Sequence, residues 1–304
     1  MFNDSLLHVA GSSYAWSGKY AVGVYLHEES REAYLFDSGP NWRTAERIDR
    51  EITNHGYEVA AIVYSHGHSV NTGGSAYFSK RYPHLLSYAT RLSAPFIHDP
   101  SWLASLSFIP TKSAGTSLQV SERPTILTDM IPYRDDLFEI NGIPFTIHTL
   151  PGHFSGMIGI QTPDDVLYCA DALFGMPTLS RQKLLFFSEP HTAKQSLEKL
   201  KTIQASQFVL YHGGVHRTIS ELIDENISRL DEAYDEVLSL IEQQWQTPEN
   251  IVQRIMSKYD FENNEKQYEL AYSITQAYLA QLLNEGRISR VIRNGLLFYT
   301  RDKG

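Results

Sequence analysis

The chain has 304 residues, 42% hydrophobic and 20% charged, with one cysteine, twelve histidines and a formal charge of −9. That length supports a sizeable core and more than one domain. The lone Cys169 excludes an internal disulfide and suits a reducing cytoplasm, and the negative balance argues against nonspecific nucleic-acid binding by the whole chain.

No apolar run is long enough to span a bilayer, and MFNDSLLHVAGSSYAW lacks the basic start and long apolar block of a secretory signal. A cytoplasmic protein without a membrane partner is expected. Tyr20–Leu26 and Glu32–Phe36 read as strands joined by the polar turn HEES. Arg43–His55 reads as a helix stopped by Gly56. Val59–Tyr64 is fully apolar, as a buried strand should be. Gly73-Gly74 opens a helix expected through Tyr82, and His84–Tyr88 reads as the next strand. Strand–helix–strand order predicts an α/β layer architecture.

Residues 91–135 break this rhythm with scattered prolines and aromatics. An insertion of that kind is a lid or binding element, or else a peripheral excursion with a short helix at Ser101–Phe108. Strands resume at Phe145–Leu150, Met157–Gln161, Val166–Ala170 and Phe208–Tyr211, with a helix over Thr192–Ile203.

From Thr218 the chain turns helical and acidic, with apolar residues at helical spacing. Thr247-Pro248-Glu249 restarts a helix, residues 265–285 form another, and ISRVIRNGLLFYTRD is a hairpin around Asn294-Gly295. The expected division is a unit over 1–217, with 91–135 lid-like, and a helical, winged-helix-like unit over 218–304. The second unit's default role is packing or oligomerisation, with a homodimer as the expected partner. Arg287, Arg290, Arg293 and Arg301 on the wing leave DNA binding as a minor alternative.

Chemistry gathers at the strand ends. His66 and His68 follow Val59–Tyr64, His153 follows Phe145–Leu150, Asp171 follows Val166–Ala170, and His212 follows Phe208–Tyr211. Layered α/β proteins collect their sites at such positions. A catalytic zinc wants three protein ligands and an open position, and it lowers the pKa of water to about 7. His66, His68 and His153 could supply those ligands, with Asp171 ligating or orienting the water. Each piece alone has a plainer reading: the His-x-His pair as a polar loop, His153 as a turn residue beside Gly152, Asp171 as a helix cap, and His212 as loop chemistry beside Gly213-Gly214. Cys169 reads as a small buried hydrophobe. The joint order of the residues favours a site.

That order resembles the metallo-β-lactamase superfamily, whose hallmark is His-x-His-x-Asp-His after a buried strand, then Pro-Gly-His, a strand-end Asp and a late His-Gly. Here the matching residues are His66-Gly67-His68, Pro151-Gly152-His153, Asp171 and His212-Gly213, and Asp37-Ser38-Gly39 also fits. The resemblance covers roughly residues 5–217 and implies a four-layer αβ/βα sandwich with its site at one edge between two β-sheets. The acidic helices and terminal hairpin resemble the C-terminal extension of some hydrolase members. The chain departs from the pattern at Val70, where the family has Asp, and at Asn71, where it has the second metal's His. Valine cannot ligate, and a neutral amide oxygen suits hard cations better than zinc. The resemblance therefore implies one well-bound metal on His66, His68 and His153, with Asp171 close by. A second ion would be weak, resting on Asp171, His212 and Asn71.

The expected function is a metal-dependent hydrolase acting on an ester, thioester or lactone-type small molecule. Zinc is the expected cofactor, with iron or manganese as alternatives. Asp171 and His212 are the candidate catalytic residues, and Phe96, His98, Trp102 and Phe108 would line an apolar pocket. A lyase or iron-dependent oxidoreductase remains open, because three histidines and a carboxylate also suit iron. A non-catalytic regulatory binding protein remains open too, because two ligands are lost.

Overall fold

The computed structural model describes residues 4–100, 102, 125–242 and 245–301. Phe108, and all of the expected helix Ser101–Phe108 except Trp102, lie outside the described residues.

The first sheet runs in sequence order: β1 (Leu6–Ala10), β2 (Ser13–Ser17), β3 (Ala21–His27), β4 (Glu32–Phe36), β5 (Glu58–Val63), β6 (Leu86–Thr90) and β7 (Asp129–Ile131). Strands β1 to β4 pair antiparallel, and β4 to β7 pair parallel. The β4–β5 crossover is helix α1 (Trp42–Asn54), capped where Asn41 accepts from the Thr44 amide. The expected helix from Gly73 to Tyr82 is two pieces, α2 (Ser69–Thr72) and α3 (Ser75–Arg81). The break lies at the glycines. A Cβ on Gly73 would come 2.2 Å from the Pro40 carbonyl oxygen, and one on Gly74 would come 2.2 Å from that of Ser38. These glycines let the loop after β5 lie against the loop after β4, whose Asp37 faces the site described below. Helix α4 (Ala94–His98) follows β6.

The second sheet has the order β13-β12-β11-β10-β9-β8. Its strands are β8 (Asp136–Ile140), β9 (Ile143–Thr149), β10 (Ile158–Gln161), β11 (Val166–Ala170), β12 (Gln207–Leu210) and β13 (Gly214–His216). Between β11 and β12 lie α5 (Met176–Leu179) and α6 (Pro190–Leu200). One core cluster joins the facing sheets, with Tyr25, Tyr34, Phe36 and Val63 from the first and Phe145, Ile147, Ile160, Tyr168 and Val209 from the second. A second cluster seats α1 and α3 on the outer face of the first sheet through Ile48, Ile52 and Phe78. A third seats α6 on the outer face of the second sheet through Ala193, Leu197 and Leu200. The result is the four-layer αβ/βα sandwich, two apolar sheet faces buried against each other and a helix layer covering each outer face.

Beyond it come α7 (Ser220–Glu242), α8 (Pro248–Lys258), α9 (Glu265–Asn284) and the hairpin β14 (Ser289–Arg293)–β15 (Leu296–Thr300). Thr247 caps α8, and Asn264 caps α9 by accepting from the Gln267 amide. Ile223, Leu230, Ile274 and Leu279 share one cluster with Leu173, Leu197 and Phe187, so the C-terminal helices are packed on the second sheet's helix layer. Among the described residues no helix is long and apolar enough to cross a membrane.

Candidate metal centre

Each chemistry-bearing residue sits where a central strand ends. At the end of β4, Asp37 adopts a left-handed φ of 69°, which Asp tolerates better than most residues. At the end of β11, Ala170 has φ 50° and the β11–β12 register shifts between Tyr168 and Ala170. A bulge of this kind re-aims the next side chain. That side chain is Asp171, buried to 1% exposure. In the turn after β9, Gly152 has φ +124°, and a Cβ there would meet the Ala193 backbone at 2.3 Å. The Gly152 carbonyl accepts from the Glu189 amide and the Ser188 hydroxyl, and the Pro151 carbonyl accepts from Ser196. The loop that presents His153 is thereby clamped to the start of α6.

His66, His68, His153 and Asp171 offer one ligand atom each, and the four atoms lie within 4.8 Å of one another. His66 Nε2 and His153 Nε2 are each 3.0 Å from His68 Nδ1. Asp171 Oδ2 is 3.4 Å from His66 Nε2 and 3.8 Å from His153 Nε2. Outer partners fix two of the ring tautomers. His153 Nδ1–H donates to the Phe186 carbonyl at 3.0 Å, which leaves its Nε2 a lone pair. The Ser65 hydroxyl gives its proton to Asp37, so His66 Nδ1–H donates to Ser65 Oγ at 2.9 Å and its Nε2 also carries a lone pair. Lone pairs therefore converge on a common point, the arrangement by which outer-shell groups prepare metal-ligating histidines.

Electrostatics agree with a neutral-donor set. Burial, then the neighbouring imidazoles, lowers His66 and His153 well below the usual histidine range, and burial takes His68 down to about 4. Burial, then Asp37, pushes Asp171 well above the usual carboxylate range. A cation among these groups favours the ionised Asp171 and the unprotonated rings together. Asp171 Oδ1 is buried with no hydrogen-bond partner, a polar atom whose desolvation a bound ion would offset. The residues present thus fit one metal ion.

The remaining donors are arranged differently. His212, 26% exposed at its side chain, places Nε2 3.5 Å from Asp171 Oδ1. Asn71 is fully buried and turns its amide N–H to Asp37 Oδ2 at 2.9 Å. Val70 packs its side chain into the apolar cluster beside α1 and α3, and its carbonyl accepts from the Tyr211 hydroxyl.

Of the candidate pocket residues, Phe96 stands edge-on to Phe154 at 5.2 Å between ring centroids, and Phe154 packs on His68 at 4.9 Å. His98 is exposed and bonds the Thr125 carbonyl, and Trp102 is 54% exposed, so neither is among the rings that line the histidines. Sequence reasoning missed most of that apolar wall. Phe174, Phe186 and Phe187 pack around His153 at 5.5 to 5.8 Å. The signal was the LLFFSEP run and the Phe after Asp171-Ala172-Leu173, in segments with no periodicity to single them out.

A family model described as metallo-beta-lactamase superfamily matches residues 18–212. The chain is similar in structure to a metallo-beta-lactamase family protein from Thermus thermophilus, with 20% identity, 93% of this chain and 94% of that one covered, and a TM-score of 0.71. A beta-lactamase domain protein from Burkholderia ambifaria gives 17% identity, 98% and 93% coverage, and a TM-score of 0.74. A metallo-beta-lactamase from Pontibacter korlensis gives 16%, 75% and 98%, and 0.55. No curated protein matches the chain.

Proposed function

The chain belongs to the metallo-beta-lactamase superfamily, and from that premise we propose that it is a hydrolase with one tightly held metal ion, acting on an ester, thioester or lactone carbonyl. The carrying observation is the convergence of His66 Nε2, His68 Nδ1 and His153 Nε2 beside Asp171, with two tautomers set from outside. When bound, the ion supplies Lewis-acid polarisation of the carbonyl and a water nucleophile at neutral pH.

The protein's own groups do the rest. Asp171 accepts the proton of the attacking water at a carboxylate oxygen. The same carboxyl returns it to the departing oxygen or sulfur, while His212, its Nε2 3.5 Å from Asp171 Oδ1, positions the departing group. Phe96, Phe154, Phe174, Phe186 and Phe187 exclude bulk water and suit an acyl or aromatic substrate. With Val70 and Asn71 in place of a carboxylate and an imidazole, a second ion has only Asp171, His212 and the neutral Asn71 Oδ1 to hold it. Nothing then steadies a poor leaving group, so thioesters and lactones are favoured over phosphodiesters.

The test is turnover of S-phenyl thioacetate, γ-butyrolactone and bis(4-nitrophenyl) phosphate by zinc-loaded and chelator-treated protein. Zinc-dependent hydrolysis of the first two ahead of the third is expected. Absence of metal-dependent turnover of all three, or preference for the phosphodiester, overturns the reading. The donor set of three imidazoles and a carboxylate also suits non-haem iron. Iron in protein purified without added metal, together with oxygen uptake, would favour an oxidoreductase instead.

A further inference from the structure

Lys19 and Arg181 are exposed cations on separate segments that both adjoin the strand end carrying His212, and neither forms an ion pair among the described residues. Lys19 lies between β2 and β3, with its ammonium 5.1 Å from the Tyr20 ring centroid. Tyr20 in turn meets the His212 ring edge-on at 5.1 Å and stacks on Tyr211 at 5.2 Å. The Ala21 amide donates to the Tyr211 carbonyl, which fixes this corner to the strand end carrying His212.

Arg181 follows α5, and its Nε donates to the Pro177 carbonyl at 2.7 Å. The same short helix is tied to His212: the Thr178 hydroxyl and the Gly175 amide both donate to the His212 carbonyl. In a chain of net charge −9, a rim of unpaired positive charge is a local reversal of sign. The opposite side of the site, around His68 and His153, is apolar.

We infer that the substrate is an anionic amphiphile, whose carboxylate or phosphate is held by Lys19 and Arg181 on the His212 side while its apolar part lies against the phenylalanines. This rests on the hydrolase reading for the word substrate, but the binding it asserts stands apart from turnover. Arg181 keeps Nη groups beyond the Nε committed to Pro177, and Lys19 keeps its three ammonium donors. Both are specificity-determining residues, remote from the reacting atoms.

The probe is hexyl phosphate, with 1-hexanol as its neutral counterpart, titrated calorimetrically into zinc-loaded and into chelator-treated protein. Lys19→Gln/Arg181→Gln is expected to weaken hexyl phosphate about ten-fold in both forms and to flatten the salt dependence of its affinity. Lys19→Arg/Arg181→Lys is expected to retain the affinity, because charge and not shape is invoked. An affinity of the Gln double variant within about two-fold of wild type, or an unchanged salt slope, overturns the inference. Loss of ester turnover in wild type would sink the hydrolase reading and leave this result standing.

Discussion

Asn71 donates its side-chain amide to Asp37 at 2.9 Å, and both residues are buried beside Asp171. The amide nitrogen is no metal donor in any case, and Asn71 Oδ1, buried and without a partner, is the only atom it could offer a cation, a neutral and weak one for zinc. Asn71 thus works as a neutral tether where the superfamily pattern has an imidazole ligand. The expected metal content is one equivalent per chain after dialysis against zinc, read by elemental analysis. Val70→Asp/Asn71→His should raise it toward two. Two equivalents in the unmodified protein would show that Asp171, His212 and Asn71 Oδ1 hold a second ion tightly without a carboxylate at position 70 or an imidazole at position 71.

Ser65 links Asp37 to His66, accepting from the ring and donating to the carboxylate at 2.8 Å. Ser65→Ala removes both contacts without touching a metal-facing atom. The expected result is a zinc affinity about 10- to 100-fold weaker, the usual effect of losing an outer-shell partner. Competition with a chromophoric chelator measures it. Unchanged affinity would mean that packing alone orients His66.

A ligand that binds the folded form at 100 times its dissociation constant stabilises it by about 2.7 kcal/mol. Zinc should therefore raise the thermal midpoint of wild type by several degrees, and His153→Ala should abolish most of that shift. Calorimetry with and without chelator reads both. A zinc shift that survives His153→Ala would remove His153 from the centre.

Much of this architecture was legible in the residues. Glu32–Phe36 and Val166–Ala170 are strands at the predicted bounds, because short, largely apolar and almost wholly buried runs leave little room for another reading. The edge strands β1, β7, β8 and β13, and the inner strand β2, went unseen. Leu7 and Met130 are about half exposed, so neither edge carries a clean alternation. The ordering of His66, His68, His153, Asp171 and His212 at strand ends was visible as spacing. The role of Asn71 was not, since a hydrogen bond between positions 71 and 37 depends on how two loops meet. Likewise nothing in the run from Phe174 to Phe187 announces that it wraps His153. The change of character near Thr218 marks where acids appear on exposed helix faces, while the apolar faces of those helices share a cluster with α6.

Gly152 is a tight point behind the site, between the His153 loop and α6. Its φ of +124° excludes side chains, and an added Cβ would lie 2.3 Å from the nitrogen and Cα of Ala193. Strain in the backbone costs about 1–3 kcal/mol and overpacking a similar amount. Gly152→Ala should lower the unfolding free energy by about 2–5 kcal/mol, read by urea titration, and should weaken zinc binding by displacing His153. A variant as stable as wild type would mean that α6 can move away from the loop.

Lys199 and Asp135 brace the strand that leads to His153. The Lys199 ammonium is 2.8 Å from Asp135 Oδ1 and from the Thr149 carbonyl, and Thr149 donates its amide and hydroxyl to the same carboxylate. Partial burial pulls Asp135 upward, but Lys199 and the two Thr149 donors outweigh it and hold the carboxyl down at about 2. A carboxyl depressed in the folded state stabilises that state above its unfolded pKa of about 3.9, and the contribution fades as pH falls toward the folded value. Asp135 is nearly half exposed, so solvent screening limits the effect to about 0.5–1 kcal/mol. Asp135→Asn should therefore cost that much at pH 7, and its difference from wild type should shrink between pH 4 and pH 2, within the limits of about 3.9 and about 2 just given. Denaturant melts at the two extremes test the sign directly. A difference that grows on acidification would mean that the carboxylate opposes the fold, and the brace on the His153 loop would have to come from Thr149 and the clamp on Gly152 alone.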